Sequence, residues 1–114
     1  MAKLDHEKCK PCEEGTQPLK GDELKELEAQ LPEGWEMVEE HHLQKSFGCE
    51  DFRQALDLAN RIGEVAEQEN HHPDLHVSYG KVEAVVWTHK VGGLTRNDFI
   101  LATKIDALRR PTAT

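Results

Sequence analysis

The chain has 114 residues, of which 37% are hydrophobic and 32% are charged, as expected for one small domain with a real core. Its formal net charge of -8 disfavours binding to a phosphate backbone, because the 14 lysines and arginines are scattered along the sequence. No apolar run approaches the roughly 20 residues that a membrane span needs, so we expect neither nucleic acid nor a membrane as a partner.

The first residues, 1–17, carry charges, prolines and glycine without an apolar period, and they are interpreted as an irregular arm preceding a domain over 18–114. Cys9 and Cys12, with His6 three residues before Cys9, are spaced like half of a zinc site or a redox pair. A flexible arm without such chemistry is the favoured alternative. The odd total of three cysteines and the lack of a secretory signal predict a cytoplasmic protein.

The first predicted elements are a helix and two strands. Asp22 is expected to cap the helix, and Pro32 to end it. Its apolar stripe consists of Leu24, Leu27 and Leu31. From Trp35 the pattern changes towards alternation, which predicts strands near 35–39 and 43–47. His41–His42 are placed in the exposed turn between them and are given no chemical role.

A second helix is predicted to begin at Cys49–Asp51 and to run to about Gln68, with Pro73 marking the boundary after it. Its expected apolar face consists of Phe52, Ala55, Leu56, Ala59, Ile62 and Ala66. Glu67 falls in the last turn, one turn before His71, where its carboxylate could reach the histidines at 71 and 72. A solvated charge at a helix end is the alternative for Glu67.

The clearest strand pattern is a hairpin with Gly80–Lys81 as its two-residue loop. In that register Tyr79 faces Val82 and Leu75 faces Val86, all on one core face. Continued outward, it brings His72 opposite His89. Since imidazoles change charge near neutral pH, this meeting of histidines predicts a joint site for proton transfer or metal binding.

A third helix is predicted after a flexible connector at 91–94. Thr95 and Asp98 have the spacing of a capping box. Phe99, Ala102, Ile105 and Leu108 form the expected buried stripe, and Pro111 ends the helix. The element order predicts an α+β fold in which three helices cover one face of a four-stranded antiparallel sheet. Val85 and Trp87, on the other face, predict a covering subunit.

The spaced residues Glu67-x3-His71-His72-Pro73-x5-Tyr79-x9-His89-x8-Asp98 resemble the signature of the pterin-4a-carbinolamine dehydratases. The Gly34–Trp35 pair also resembles that family, and the likeness covers about residues 18–109. The resemblance implies the same α+β fold and dehydration of 4a-hydroxytetrahydropterin to quinonoid dihydropterin. It implies neither metal nor organic cofactor. Its partners would be the pterin, an aromatic amino-acid hydroxylase that uses the recycled cofactor, and further copies of the chain in a homodimer or homotetramer.

The resemblance also implies roles for individual residues. His71 and His89 would be the acid–base pair, and His72 would hold and polarise the pterin. Glu67 and Asp98 would orient imidazoles. The remaining residues expected to shape the pocket are Trp35, Pro73, Thr88, Lys90 and Val91. A core tryptophan is the alternative for Trp35.

Two competing functions remain beside the dehydratase. Some members of the family also serve as dimerisation cofactors of a transcription factor, which would be a protein–protein role. A metal site is the other alternative. Its ligands would be His71, His72, His76 and His89, whose imidazoles suit borderline metals, but their spacing lacks the frame of a dedicated helical site.

Overall fold

The computed structural model describes residue 4 and residues 7–10 and 15–108, which form three helices and four strands. In chain order the elements are α1 (Asp22–Glu28), β1 (Glu36–Val38), β2 (His42–Gly48), α2 (Phe52–Glu69), β3 (Asp74–Ser78), β4 (Lys81–Val86) and α3 (Arg96–Ala107). The predicted order of helices and strands is confirmed. The expected cap of α1 is wrong by one residue, because Gly21, with φ +62°, takes the position before the helix.

The four strands form one antiparallel sheet in the order β1-β2-β4-β3. The predicted hairpin register is wrong by two residues: Leu75 pairs with Ala84, and Val77 with Val82. Tyr79 and Gly80 form the loop, where Gly80 adopts the positive φ of +77° that glycine tolerates best. Because the slip is an even number of residues, the apolar faces are unchanged, except that Tyr79 is 76% exposed and not in the core.

The helices cover one face of this sheet, as predicted. Side chains from β2 and β4, including Leu43, Phe47, Val82, Ala84 and Val86, are buried against them. Helix α3 lies at the centre, and Phe99, Ile100, Leu101, Ala102 and Ile105 are all at most 2% exposed.

The predicted apolar face of α2 is only partly correct. Ala55, Ile62 and Ala66 are buried as expected, together with Leu58, but Phe52 and Leu56 are 46% and 44% exposed. The buried face of the helix is therefore rotated away from Phe52 and Leu56, which leaves an apolar strip towards solvent.

The N-terminal arm contacts the domain at Leu4, Glu7, Cys9 and Lys10. Leu4 is 3% exposed and belongs to the hydrophobic core. The Glu7 carboxylate accepts two hydrogen bonds from the Arg96 guanidinium, at 2.8 and 2.5 Å. Cys12, His6 and Pro111, which carried sequence predictions, lie outside the described residues. Within the described part of the chain, no helix combines the length and the hydropathy required to cross a membrane.

Candidate active site

His71 is held at the point where α2 ends. Asn70 terminates the helix in the left-handed conformation, with φ +53°, and the His71 amide donates to the Ala66 carbonyl at 3.1 Å. The chain reversal turns the His71 ring inward, where its Nε2 lies 2.6 Å from Oδ1 of Asp98. The His71 side chain is 12% exposed, whereas that of Asp98 is fully buried.

Asp98 divides its two carboxylate oxygens between two tasks. It stands at the third position of α3, where Oδ2 accepts from the backbone amide of Thr95 at 2.8 Å and completes the predicted capping box. The same oxygen accepts from the Thr88 hydroxyl at 2.8 Å. Oδ1 is left to the imidazole, so the carboxylate favours a proton on Nε2 of His71 and leaves Nδ1 as the nitrogen that can exchange one.

Thr88 connects this carboxylate to the segment that carries His89. Its hydroxyl is also 2.9 Å from that of Thr95, and its amide donates to the carbonyl of Gly93 at 2.9 Å. Its carbonyl accepts the amides of Val91 and Gly92, at 3.1 and 2.9 Å. The connector expected to be flexible is therefore a tight turn. Asp98, through His71 and Thr88, joins the two histidine regions.

His89 follows Thr88 and points outward. Its side chain is 52% exposed, and its Nε2 lies 3.6 Å from Oδ2 of Asp74. The expected pairing of His72 with His89 is wrong, because the β3–β4 ladder ends at Asp74 and Val85. Lys90 is exposed beside His89 in the same turn.

His72 lies on the rim of a groove between α2 and β3. Its Nε2 is 2.5 Å from Oε2 of Glu67, and the two side chains are 55% and 77% exposed. The groove has a volume of about 730 Å³, and Ala66, Glu67, His72, Pro73 and Leu75 are among the residues that line it. The lining combines apolar with polar and charged side chains, a mixture typical of small-molecule sites.

Trp35 lies elsewhere in the fold. Its indole Nε1 donates to Oδ1 of Asp106 at 3.2 Å, and its ring packs edge-on against Phe47. Asp106 is eight residues beyond Asp98 on α3, which is about 12 Å along the helix axis. Trp35 is therefore not close to the pair formed by His71 and Asp98.

Three residues near the histidines have no site role in the sequence prediction. Asp74 faces His89, Thr95 bonds to Thr88, and His41 packs against Trp87 with ring centroids 4.5 Å apart. Asp74 could have been noticed as the carboxylate directly after the histidine–proline segment, and Thr95 as the cap. The sequence carries no comparable signal for His41.

The arm contacts the outer side of the same region. The Cys9 amide donates to Oε1 of Glu69 at 2.9 Å, and the Lys10 amide donates to Oδ1 of Asn97 at 2.9 Å. Burial, with the nearby charge of Glu69, raises the pKa of the Cys9 thiol to about 12, so the thiol is protonated at neutral pH. Such a thiol is a poor metal ligand and a poor nucleophile.

The described residues contain no group of three or more histidine, cysteine, aspartate or glutamate side chains arranged to hold a metal ion. The four histidines of the metal alternative have separate surroundings. His71 and His72 each bind a different carboxylate, and His76 is on β3 opposite Glu83.

Comparison with known proteins gives one consistent result. The family model described as pterin 4 alpha carbinolamine dehydratase matches residues 17–108. A protein of Rubrobacter xylanophilus is 53% identical over 95% of this chain and 100% of its own length. One of Alkaliphilus metalliredigens is 45% identical over 93% of this chain and 96% of its own length. Both are provisionally named pterin-4-alpha-carbinolamine dehydratases.

A solved structure agrees with this result. The crystal structure of a transcriptional coactivator/pterin dehydratase from Brucella melitensis superposes with a TM-score of 0.75 at 28% sequence identity. The match covers 82% of this chain and all of the other.

Proposed function

Because this chain belongs to the pterin 4 alpha carbinolamine dehydratase family, we propose that it dehydrates a 4a-hydroxytetrahydropterin to the quinonoid dihydropterin by histidine acid–base catalysis. It would thus be a hydro-lyase that recycles the cofactor of an aromatic amino-acid hydroxylase. The observation that carries the proposal is the buried Asp98, which binds His71 with one oxygen and the Thr88 segment before His89 with the other.

The proposed reaction breaks the bond between C4a and its hydroxyl oxygen. One group protonates this oxygen as it leaves as water, another takes the proton from N5, and the N5 electron pair forms the C4a–N5 double bond. His71 and His89 are the proposed pair, and a neutral and a protonated imidazole can do this near neutral pH. The reaction conserves oxidation state, so side chains alone can carry it out.

His71 suits this role because its ring is fixed. Asp98 is buried and bound by Thr88 and Thr95, so it holds the His71 ring in one orientation. The Nδ1 of His71 would then exchange the proton with the pterin. Asp74 would orient His89 in the same way, at the longer distance of 3.6 Å.

His72 and Glu67 are proposed to hold the pterin, not to exchange its proton. Both are on the rim of the groove between α2 and β3, which Pro73 also lines. A pterin ring lying there would meet apolar as well as polar and charged side chains. Val91 and Lys90 would limit the site on the side of the Thr88 turn. Trp35 would contribute to stability and not to this site.

The direct test is a dehydration assay with 4a-carbinolamine generated freshly by a working aromatic amino-acid hydroxylase. We expect the purified protein to accelerate the formation of quinonoid dihydropterin above its spontaneous rate, and a chelator to leave that rate unchanged. An unaccelerated rate at micromolar protein would overturn the proposal. A loss with chelator that zinc restores would favour the metal alternative.

The protein is also proposed to form a homodimer or homotetramer. Support comes from Phe52 and Leu56, large apolar residues that remain about half exposed on α2. A cytoplasmic location is proposed with it, since three cysteines, an odd number, do not make a complete disulfide framework.

A second candidate function is binding to a transcription factor as a dimerisation cofactor. The observation in its favour is that the Brucella melitensis protein is described as a transcriptional coactivator as well as a pterin dehydratase. The exposed strip on α2 would be the contact. The test is a Phe52→Ser/Leu56→Ser double variant. Retained dehydration with loss of oligomers that contain the transcription factor would support this role. Unchanged binding to the transcription factor would exclude this surface.

A further inference from the structure

The rings of His41, Trp87 and His89 form a row that ends at His89, and His41 is far from the other two in the sequence. The His41 ring is 4.5 Å from the Trp87 ring between centroids, with 41° between their planes. The Trp87 ring is in turn 4.0 Å from the His89 ring, at 49°. The β1–β2 turn, which contributes no other residue to the proposed site, is thus linked to His89 through one tryptophan.

The backbone holds His41 in place for this contact. Strand β2 pairs with β4 as far as Leu43 and Val86, so the turn before β2 lies beside the segment that follows β4. Glu39 and Glu40 both adopt left-handed conformations, with φ +51° and +55°, and the His41 amide donates to the Val38 carbonyl at 2.8 Å. Non-glycine residues adopt that conformation at an energetic cost, so the turn is specified by its surroundings.

His89 needs such support more than His71 does. The His71 ring is 12% exposed and tied to a buried carboxylate, whereas that of His89 is 52% exposed and lies 3.6 Å from an exposed one. An exposed side chain changes rotamer on the picosecond to nanosecond timescale unless a neighbour restricts it. The Trp87 ring, whose centroid is 4.0 Å from that of the imidazole, packs directly against His89.

We propose that His41 is a positioning residue of the site: its ring fixes Trp87, and Trp87 fixes the His89 imidazole for proton transfer. The role of His89 in proton transfer rests on the proposed function, whereas the fixing of the rings does not. A misplacement of about 1 Å costs up to about 100-fold in rate, so loss of the His41 ring is expected to lower kcat by about 10- to 100-fold. KM should change much less, since His41 does not touch the groove that would bind the pterin.

The competing explanation is that His41 shields the Trp87 ring from solvent without affecting the position of His89. Two replacements of His41 separate the explanations. His41→Ala removes the ring, whereas His41→Phe keeps a ring of similar shape without the imidazole nitrogens. If the contact between rings is what matters, His41→Phe retains most of the wild-type kcat. His76→Ala is the matched control, because His76 is an exposed histidine on β3 that takes no part in the row.

The position of His89 can be measured without any activity. The carbon-bound ring protons of His89 lie close to the Trp87 indole, whose ring current should displace their NMR resonances. Trp87→Leu gives the resonance positions without that displacement. We expect His41→Ala to move the resonances towards those positions, and His41→Phe and His76→Ala to leave them near wild type.

The outcomes separate this inference from the proposed function. Unchanged His89 resonances in His41→Ala overturn the positioning role, whatever kcat does. Displaced resonances with unchanged kcat overturn its importance for the reaction. If wild type fails to dehydrate the carbinolamine, the proposed function fails, and the resonances still decide whether His41 fixes the ring of His89. If His41→Ala does not fold, His41→Leu, an apolar side chain without a ring, takes its place.

Discussion

The Nζ of Lys104 donates a hydrogen bond at 2.8 Å to Glu69, whose side chain is only 4% exposed at the end of α2. The other oxygen of this carboxylate accepts the Cys9 amide at 2.9 Å. One buried carboxylate therefore connects α2, α3 and the N-terminal arm, on the side of the domain where α2 delivers His71.

The first prediction concerns the lysine of this pair. Lys104→Met leaves the Glu69 carboxylate buried without its cation, and we expect the free energy of unfolding to fall by about 1–3 kcal/mol. Urea denaturation measures the loss. Lys25→Met, at an exposed position on α1, is the control and should change stability by less than about 0.5 kcal/mol. Equal effects of the two variants would contradict the prediction.

The second prediction is a pH dependence. Burial raises the pKa of Glu69, but the Lys104 hydrogen bond, the Cys9 amide and the charge of Lys104 outweigh it, so the pKa lies below its ordinary value of 4.5. A carboxyl with a lowered pKa stabilises the fold fully above its unfolded pKa, and this stabilisation is lost as the pH falls through the folded pKa.

The stability difference between wild type and Glu69→Gln should therefore be constant above about pH 5.5 and shrink below pH 4.5. Denaturant unfolding of both proteins at several pH values gives this difference. Glu64→Gln, at an exposed position on the same helix, serves as the control. A difference that grows as the pH falls would show that the sign is wrong.

The third prediction concerns the proposed acid–base pair. His71→Ala and His89→Ala should each lower turnover by about 10²–10⁴-fold, because each removes a group that exchanges a proton with the pterin. The folds should persist, since Thr95 and Asp98 still form the capping box of α3, although His71→Ala removes the partner of Oδ1 of Asp98. Turnover and circular dichroism check the two statements, with His76→Ala as the control. If both His71→Ala and His89→Ala fold and keep wild-type turnover, the proposed acid–base chemistry is wrong.

The fourth prediction separates the two tasks of Asp98. Asp98→Ala removes one half of the capping box of α3 as well as the partner of His71, so it should lower both turnover and stability, the latter by about 0.5–2 kcal/mol. His71→Ala should lower turnover without the loss of the cap. Urea denaturation of both variants tests this difference. A fully stable Asp98→Ala would mean that the capping box contributes little here.

The fifth prediction concerns assembly. We expect native protein to sediment as a dimer or tetramer, and Phe52→Ser/Leu56→Ser to sediment as a smaller species, because the double variant removes the exposed apolar strip of α2. Arg53→Ser, on the exposed part of the first turn, is the control. A native monomer at micromolar concentration would refute the expected assembly. A double variant of native size would place the contact elsewhere.

The apolar patterns predicted the sheet and helices because alternation and helical spacing survive small errors of register. The hairpin shows the limit. Gly80 marks a loop, but the pattern does not say whether glycine takes the first or the second position of that loop. With glycine first, the pattern predicts Tyr79 in the core, whereas the structure exposes it. On α2 two overlapping faces are apolar, and only packing decides that Leu58 is buried and Phe52 exposed.

The site was predictable to the extent that it is local in sequence. Thr95 and Asp98 could be interpreted as a capping box from spacing alone, and the histidines from the family signature. The spacing of residues in the sequence does not predict that the end of α2 packs beside α3. This packing brings His71 within hydrogen-bond distance of Asp98. The contact of His41 with Trp87 depends on β2 pairing with β4, strands far apart in the chain.

The two roles of the Asp98 carboxylate also predict which residues would change first in evolution if the activity were lost. A descendant that lost the activity would retain His71 for its hydrogen bond to Oδ1 of the buried Asp98, and no longer for catalysis. It would still be selected for aspartate at 98, because α3 needs its cap at Oδ2. In an inactive lineage, Asp98 and His71 would therefore remain conserved after His89 had been substituted. Among relatives, retention of His89, and not of Asp98 or His71, is therefore the mark of a working enzyme.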